Sequence, residues 1–305
     1  MREAKTIAIV GAGIVGVSTA IWLQRDGHRV ILIDREGPAA GASQGNGGVL
    51  ASNSILPVSM PGLLTKAPKM LFSPNQPLFL KWGYLPRLAP WLLKFLSHAN
   101  ETEVRHRAAA LTGIIGDSLA DHQALATGTG AERWIVPSDY TFLYSDRAAY
   151  EADALAWQIR RENGFDWELL EGTALRDYDP IFGPEIGCAA RCGNHGRISD
   201  PGAYVKALAD HVTAQGGQFI RAEVSDIVRD GGQVTGLRAG GQTIACDAVV
   251  VATGAWSKPL AAKLGLKAPL ESERGYHLEL WEPSVMPRNP VMVASGKFVA
   301  TPMEG

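Results

Sequence analysis

The first 34 residues contain a strand, a glycine-rich turn, a helix and a second strand, in the order of a βαβ nucleotide-binding unit. The apolar run Thr6–Val10 predicts the first strand, and Val17–Arg25 and Val30–Ile33 predict the helix and the second strand. A G-x-G-x-x-G sequence joins the first strand to the helix, and it consists of Gly11, Ala12, Gly13, Ile14, Val15 and Gly16.

Each glycine of this turn has a separate physical role. Gly11 permits a tight turn out of the strand, Gly13 lets the backbone approach a pyrophosphate, and Gly16 lets the helix pack closely on the sheet. The helix N-terminus offers N–H groups and the positive end of a dipole to phosphates. Asp34 ends the second strand, where a carboxylate would bind a ribose hydroxyl. Together these features predict a dinucleotide-binding domain.

Composition excludes several other classes of protein. The 29 basic and 31 acidic residues nearly cancel, so there is no electrostatic basis for binding nucleic acid. Three cysteines do not make a disulfide framework and fit a reducing compartment. Residues 1–5 lead directly into the first strand and leave no room for a signal peptide. We therefore expect a cytoplasmic protein, and at 305 residues one with two domains.

A second unbroken apolar run, Ala248–Ala252, occurs late in the chain and is typical of a parallel strand buried on both faces. Its position predicts a discontinuous nucleotide-binding domain in an α/β fold. Asp200 and Pro201 have the residue types of a helix N-cap and first turn, and begin the second half of this domain. The predicted division is a Rossmann-like domain of residues 1–50 and 200–260, and a mixed α+β substrate domain of 51–199 and 261–305.

Other elements follow from periodicity and turn residues. Helical spacing predicts one helix over 101–126 and another over 147–163, and Thr141–Ser145 is predicted as a strand. Glycine pairs at 231–232 and 240–241 separate three predicted strands in 223–252. The alternating run His277–Trp281 predicts a further strand.

The first βαβ unit does not distinguish NAD from FAD, but two later segments favour FAD. Ser43, Asn46, Gly47 and Gly48 form a loop of small residues just beyond Asp34. Such a loop suits close backbone contact with a second phosphate or a flat ring. The late strand ends in Ala252, Thr253 and Gly254, small residues that let a sheet edge approach a dinucleotide. An NAD-dependent dehydrogenase would leave both segments without a role, and it remains the alternative.

With these segments the sequence resembles the glycine/D-amino acid oxidase-like flavoprotein family, and within it the D-amino acid dehydrogenases. The resemblance extends over nearly the whole chain and rests on the glycine turn, Asp34 with Arg35, the 43–48 loop, Asp200 with Pro201, residues 252–257, and Arg274 with Gly275 and Tyr276.

The resemblance implies a role for each matching residue. Gly11, Gly13 and Gly16 would contact the FAD pyrophosphate, Asp34 the adenosine ribose, Arg35 the adenine and Ser43 a phosphate. Asn46, Gly47 and Gly48 would face the flavin edge. Backbone at Val224 would contact adenine, or Val224 is an ordinary strand valine. Thr253, Gly254 and Trp256 would line the dinucleotide.

The resemblance also implies a reaction. The flavin would take a hydride from the Cα of a small amino acid, most simply a D-amino acid, and the imine would hydrolyse to a keto acid. A quinone or oxygen would then accept the electrons. Sarcosine- or glycine-type amines and 2-hydroxy acids remain alternative substrates.

Tyr276 and His277 follow the turn at Arg274 and Gly275 and are the candidate catalytic residues. The alternative is that Tyr276 packs and that His277 is simply polar. Arg274 would bind a carboxylate or cap a surface turn, and Tyr140 and Tyr144 would cover the substrate or belong to the core.

Three further expectations concern metals, membranes and chain length. Cys188, Cys192 and His195 have zinc-ligand residue types but lack a fourth nearby ligand, so no metal site is predicted. The large apolar residues of 78–97 are typical of a core, and peripheral membrane contact is the alternative. Family members continue past Gly305, so the resemblance implies a chain truncated at its C-terminus. An inactive fragment that only binds nucleotide is therefore a further alternative.

Overall fold

The computed structural model describes residues 3–62, 82–272 and 275–304. The two N-terminal strands and two strands from residues 218–251 form a parallel four-stranded sheet in the order β11-β1-β2-β7. These strands are β1 (Thr6–Val10), β2 (Arg29–Asp34), β7 (Gln218–Arg221) and β11 (Ala248–Val251). Segments 6–34 and 218–251, far apart in sequence, thus build one sheet, which confirms its predicted discontinuity. The division points near 50, 200 and 260 stay predictions.

Two helices cover one face of this sheet: α1 (Ile14–Arg25) and α8 (Pro201–Ala214). The Asp200 carboxylate accepts a 2.9 Å hydrogen bond from the Ala203 N–H, which confirms the predicted N-cap. Ile9, Ile21 and Leu208 are buried in the same core cluster between the helices and the sheet. Burial of these apolar side chains stabilises the βαβ unit.

An antiparallel three-stranded sheet packs against the other face. It contains β8 (Val224–Asp230), β9 (Gln233–Ala239) and β10 (Gln242–Ala245). Both glycine pairs between these strands have positive φ at each position, as type I′ hairpin turns require. Leu237 packs with Ile33 in a second core cluster.

The remaining strands form a six-stranded mixed sheet in the order β13-β12-β4-β6-β3, with β5 also paired to β6. Their bounds are β3 (Val49–Leu50), β4 (Ile135–Tyr144), β5 (Glu168–Glu171), β6 (Cys188–Ile198), β12 (Val291–Val293) and β13 (Phe298–Ala300). Tyr140 and Tyr144 are buried on one face with Trp157, so the core interpretation of these two tyrosines is confirmed. Leu143 and Leu175 are buried in the cluster on the other face.

Two stretches predicted as single helices are each divided in two. Region 101–126 contains α3 (Glu101–Ile115) and α4 (Ser118–Ala126), interrupted at Gly116 and Asp117. Region 147–163 contains α5 (Arg147–Glu151) and α6 (Ala154–Glu162). Apolar periodicity continues through a short interruption and therefore does not reveal it. The other α-helices in the described residues are α2 (Leu85–Ser97), α7 (Gly172–Tyr178) and α9 (Ser257–Lys263).

The strand predicted at His277–Trp281 is wrong. Residues 275–290 contain no strand, and Leu278 is 84% exposed. Alternation of polar and apolar residues indicates a strand only where a neighbouring strand can supply hydrogen bonds and where one face can pack on apolar residues. Strand Ala248–Val251 packs on a core cluster at each face, as predicted, but it is only half-buried, because it forms the edge of the four-stranded sheet among the described residues.

The region considered for membrane contact lies partly outside the described residues, which begin again at 82. Helix α2 exposes Trp91 and Leu93, and Trp91 stacks on Phe95 with ring centroids 5.0 Å apart. Across residues 3–62, 82–272 and 275–304, none of the helices has the length and hydropathy needed to cross a bilayer.

Replacing Gly16 by alanine should destabilise the protein by about 3 kcal/mol. The new Cβ would overlap the carbonyl oxygen of Gly11, and neither backbone segment can move without disturbing the sheet. Urea unfolding without added ligand measures the effect.

Gly113→Ala is the matched control for that variant. Gly113 is exposed in α3, and a Cβ there would have no heavy atom within 4 Å. This substitution should stabilise the protein by up to about 1 kcal/mol, because alanine favours helix more than glycine does. Equal unfolding free energies for Gly16→Ala and the wild-type protein would contradict the packing role of Gly16.

Candidate cofactor site

The glycine-rich turn lies where three parallel strands end. The Gly11 N–H donates to the carbonyl of Ile33 and the Ala252 N–H donates to the carbonyl of Val10, both at 2.8 Å. Gly11 has a φ of +107°, and a Cβ there would overlap the carbonyl oxygen of Ala252. The tight-turn role predicted for Gly11 and the close-packing role predicted for Gly16 are therefore confirmed.

Gly13 differs from the other two glycines because its φ of −76° is available to any residue. A Cβ at Gly13 would have one neighbour within 4 Å among the described residues, the hydroxyl oxygen of Ser43 at 3.2 Å. The space beside Gly13 is therefore open at the N-terminus of α1. Such open space lets a pyrophosphate approach the backbone.

Two predicted side chains hold the turn in place. Asp34 Oδ2 accepts from the Ala12 N–H at 2.9 Å, and Oδ1 accepts from the N–H groups of Glu36 and Gly37. The buried Ser43 hydroxyl accepts from the Ile14 N–H at 2.9 Å and so caps α1. Each carboxylate oxygen has two lone pairs, so Asp34 Oδ2 keeps capacity for another donor.

The 43–48 loop is held together by the Asn46 amide. Asn46 Nδ2 donates to the carbonyls of Ala42 and Ser43, and Oδ1 accepts from the Gly48 N–H at 2.9 Å. Gly48 has a φ of +60°, and a Cβ there would clash with the carbonyl oxygen of Ile198. The Asn46 side chain is thus engaged within its own loop, which leaves the backbone at Gly47 as the loop's available surface.

Residues far apart in sequence meet at the other end of the turn. The Arg35 guanidinium lies over the Trp256 indole, 4.5 Å from its centroid. The Thr253 hydroxyl donates to the Ser257 hydroxyl at 3.0 Å, at the end of β11. Val224 packs on the second core cluster. The structure therefore brings Arg35 and Trp256 together. The side chain of Val224 packs in the core, and the adenine contact expected of its backbone stays a prediction.

A cavity of about 150 Å³ lies between the 43–48 loop and helices α1, α4 and α8. Four of the predicted residues line it: Ile14, Ser43, Asn46 and Gly48. His122 and Tyr204 also line it, and their side chains hydrogen-bond at 3.0 Å. Burial lowers the pKa of His122 and raises that of Tyr204. Sequence reasoning missed this pair, for which helical apolar spacing was the only signal.

Two buried polar atoms beside the loop have no hydrogen-bond partner in the part of the chain that the structure describes. They are the Thr301 hydroxyl and Arg197 Nε. Such atoms are costly in a folded protein unless another group binds them. Neither residue was predicted, because nothing in the local sequence indicates that a polar atom lacks a partner.

Both candidate catalytic residues are exposed to solvent, but they differ in their neighbours. Tyr276 is 90% exposed. His277 lies against the loop, where a Cβ on Gly45 would be 3.1 Å from His277 Cε1, and His277 Nε2 lies 3.4 Å from Glu279 Oε1. Their catalytic roles stay predictions. Arg274 lies outside the described residues.

Cys188, Cys192 and His195 all lie on β6. Cys188 and Cys192 are four positions apart on this strand, so their Cα atoms are separated by about 13 Å. The two thiols therefore cannot bind one zinc ion. A larger cavity of about 630 Å³ opens beside Trp167, Arg191 and His195 and contains none of the predicted cofactor residues.

Comparison with known proteins identifies the family to which this chain belongs. A family model described as "FAD dependent oxidoreductase" matches residues 6–305. A D-amino-acid oxidase of Bradyrhizobium diazoefficiens is 38% identical over 302 residues, which are 98% of this chain and 72% of that protein. A D-amino acid dehydrogenase of Dechloromonas aromatica is 28% identical over 92% of this chain and 70% of its own length.

The fold agrees with a solved structure as well. Glycine oxidase from Bacillus cereus superposes with a TM-score of 0.62 at 19% identity, over 99% of this chain and 69% of that one. These findings confirm FAD over NAD and the predicted fold class. The chain is a member of the DAO family of FAD-dependent oxidoreductases.

Proposed function

We propose that this flavoprotein oxidises a D-amino acid to the corresponding keto acid and ammonia. The observation that carries the proposal is the 38% identity to a D-amino-acid oxidase across nearly the whole chain. The resemblance of the 43–48 loop and of residues 252–257 to the D-amino acid dehydrogenases points in the same direction.

The residues present fit FAD, and we assign their roles within the proposal. The open side of Gly13 and the N-terminus of α1 would hold the pyrophosphate, and Asp34 Oδ2 has lone-pair capacity for a ribose hydroxyl. Arg35 and Trp256 would flank the adenine. The backbone of Gly47 and Gly48 would face the flavin. The remaining contacts assigned are Ala12, Ile14, Val15, Ser43, Thr253 and Gly254.

When bound, FAD supplies a hydride acceptor, and the protein supplies position, desolvation and charge. The Asn46 amide holds the loop together, so the Gly47 backbone would present a fixed surface to a bound flavin. We assign His277 to the substrate side, because its ring lies against the same loop. We assign Tyr276 to the same side because it directly precedes His277 in the chain, and its side chain is exposed to solvent.

The visible spectrum of the purified protein, recorded anaerobically, tests the proposed function. A yellow protein that bleaches with D-amino acids and stays yellow with the L-enantiomers supports it. Bleaching only by sarcosine, glycine or a 2-hydroxy acid would show that the substrate belongs to that class and not to the D-amino acids. A yellow protein that none of these compounds bleaches would support the nucleotide-binding alternative.

The electron acceptor is either oxygen or a quinone. If oxygen is the acceptor, admitting air after anaerobic bleaching restores the yellow colour and produces peroxide. If a quinone is the acceptor, the colour returns only when a soluble quinone is added. Peripheral membrane contact stays a prediction, and the exposed Trp91 and Leu93 of α2 are compatible with it.

Gly13→Val should lower FAD affinity at least a hundredfold, because a branched side chain would fill the open space beside the α1 N-terminus. Titration of the protein with FAD, followed by quenching of flavin fluorescence, measures this. Gly113→Val in the exposed part of α3 is the control and should bind FAD normally. Full FAD content in Gly13→Val would mean that the dinucleotide lies elsewhere.

His277→Ala should lower kcat at least about tenfold while FAD remains bound, since a positioned imidazole contributes strongly to proton transfer. Steady-state kinetics with a D-amino acid and the flavin-to-protein absorbance ratio test both parts. Leu278→Ala, next to it and exposed to solvent, controls for disturbance of the segment. An unchanged kcat in His277→Ala would show that this histidine is merely polar.

A further inference from the structure

The hydroxyl of Thr301 occupies an unfavourable environment. Its oxygen is buried and has no hydrogen-bond partner among the described residues. Burying a hydroxyl without a partner costs free energy that a valine of the same shape would not cost. The position therefore indicates a partner from outside the described part of the chain.

The surroundings of Thr301 point to the flavin-facing loop. A Cβ added to Gly47 would lie 3.9 Å from Thr301 Oγ1, its nearest neighbour among the described residues. Met303 Cε lies beside Gly48, where it would be 3.2 Å from a Cβ. The Glu304 N–H donates to the carbonyl of Ser199 at 2.9 Å and fixes this segment along β6. Thr301 is thus held against the glycines of the loop.

A second atom without a partner lies on the same side of the structure. Arg197 pairs directly with Val49, the residue that follows Gly48, so the two side chains lie on one face of the sheet. Arg197 Nε is buried without a partner in the described chain, and burial lowers the pKa of this guanidinium. Two unfilled donors, from β6 and from the segment after β13, therefore lie near Gly47 and Gly48.

We propose that Thr301 donates a hydrogen bond to a ring nitrogen or carbonyl oxygen of the FAD flavin. A flavin edge offers such acceptors, and the absence of a side chain at Gly47 leaves a ring room to approach the loop. Thr301 is in this sense a residue that positions the cofactor, and its hydrogen bond would also shift the absorption maximum of the flavin. The inference depends on the family's cofactor and is independent of which substrate is oxidised.

A pair of variants separates this role from a structural one. Thr301→Val keeps the branched shape and removes the hydroxyl, and Thr301→Ser keeps the hydroxyl. Thr301→Val should leave the apoprotein as stable as wild type or more stable, because an unpaired buried hydroxyl is lost. Its FAD affinity should fall about five- to tenfold, the effect of one lost hydrogen bond. Thr301→Ser should bind FAD within about twofold of wild type.

The measurements are urea unfolding of the apoproteins, FAD titration by fluorescence quenching, and the visible spectrum of each holoprotein. A displaced flavin absorption maximum in Thr301→Val, absent in Thr301→Ser, is also expected. Wild-type FAD affinity and spectrum in Thr301→Val would overturn the proposal. A Thr301→Ser as weak in binding as Thr301→Val would overturn it too. So would a Thr301→Val apoprotein destabilised enough to account for its weaker binding.

Discussion

A close backbone contact at the end of the parallel sheet governs the geometry of the site. The turn after β1 passes so near the carbonyl of Ala252 that residue 11 can carry no side chain, and the Gly11 N–H is bonded to Ile33. Strands β1, β2 and β11 therefore end at one place. That placement positions the N-terminus of α1, the carboxylate of Asp34 and the residues after β11 around a single space.

Around that space, side chains hold the turn and the loop in place by hydrogen bonds, and the backbone forms the surface that faces the space. Asp34, Ser43 and Asn46 each accept hydrogen bonds from backbone N–H groups of the turn or loop, so these side chains first fix the shape of the site. Fixed backbone and glycines then leave room for a planar or anionic group. Thr301 and Arg197 differ from these side chains, since each has a buried polar atom that has no hydrogen-bond partner in the described chain.

The nucleotide-binding half could be predicted closely from sequence, and the substrate half less well. Strand, glycine turn, helix and second strand depend on neighbours within a few residues, so their limits were nearly correct. The run His277–Trp281 alternates like a strand and yet is none, because pairing depends on a partner elsewhere in the chain. The edge position of Ala248–Val251 depends on sheet order for the same reason.

The sequence by itself determined the dinucleotide-binding unit, its glycine turn and the late apolar strand that makes the sheet discontinuous, because residue types and short-range periodicity carry that information. Tertiary structure alone decided which distant residues meet: Arg35 with Trp256, His122 with Tyr204, and Thr301 with the loop at Gly47. These contacts arise when elements fold together, and no local pattern records them. Whether a buried polar atom finds a partner is likewise a property of the packed structure.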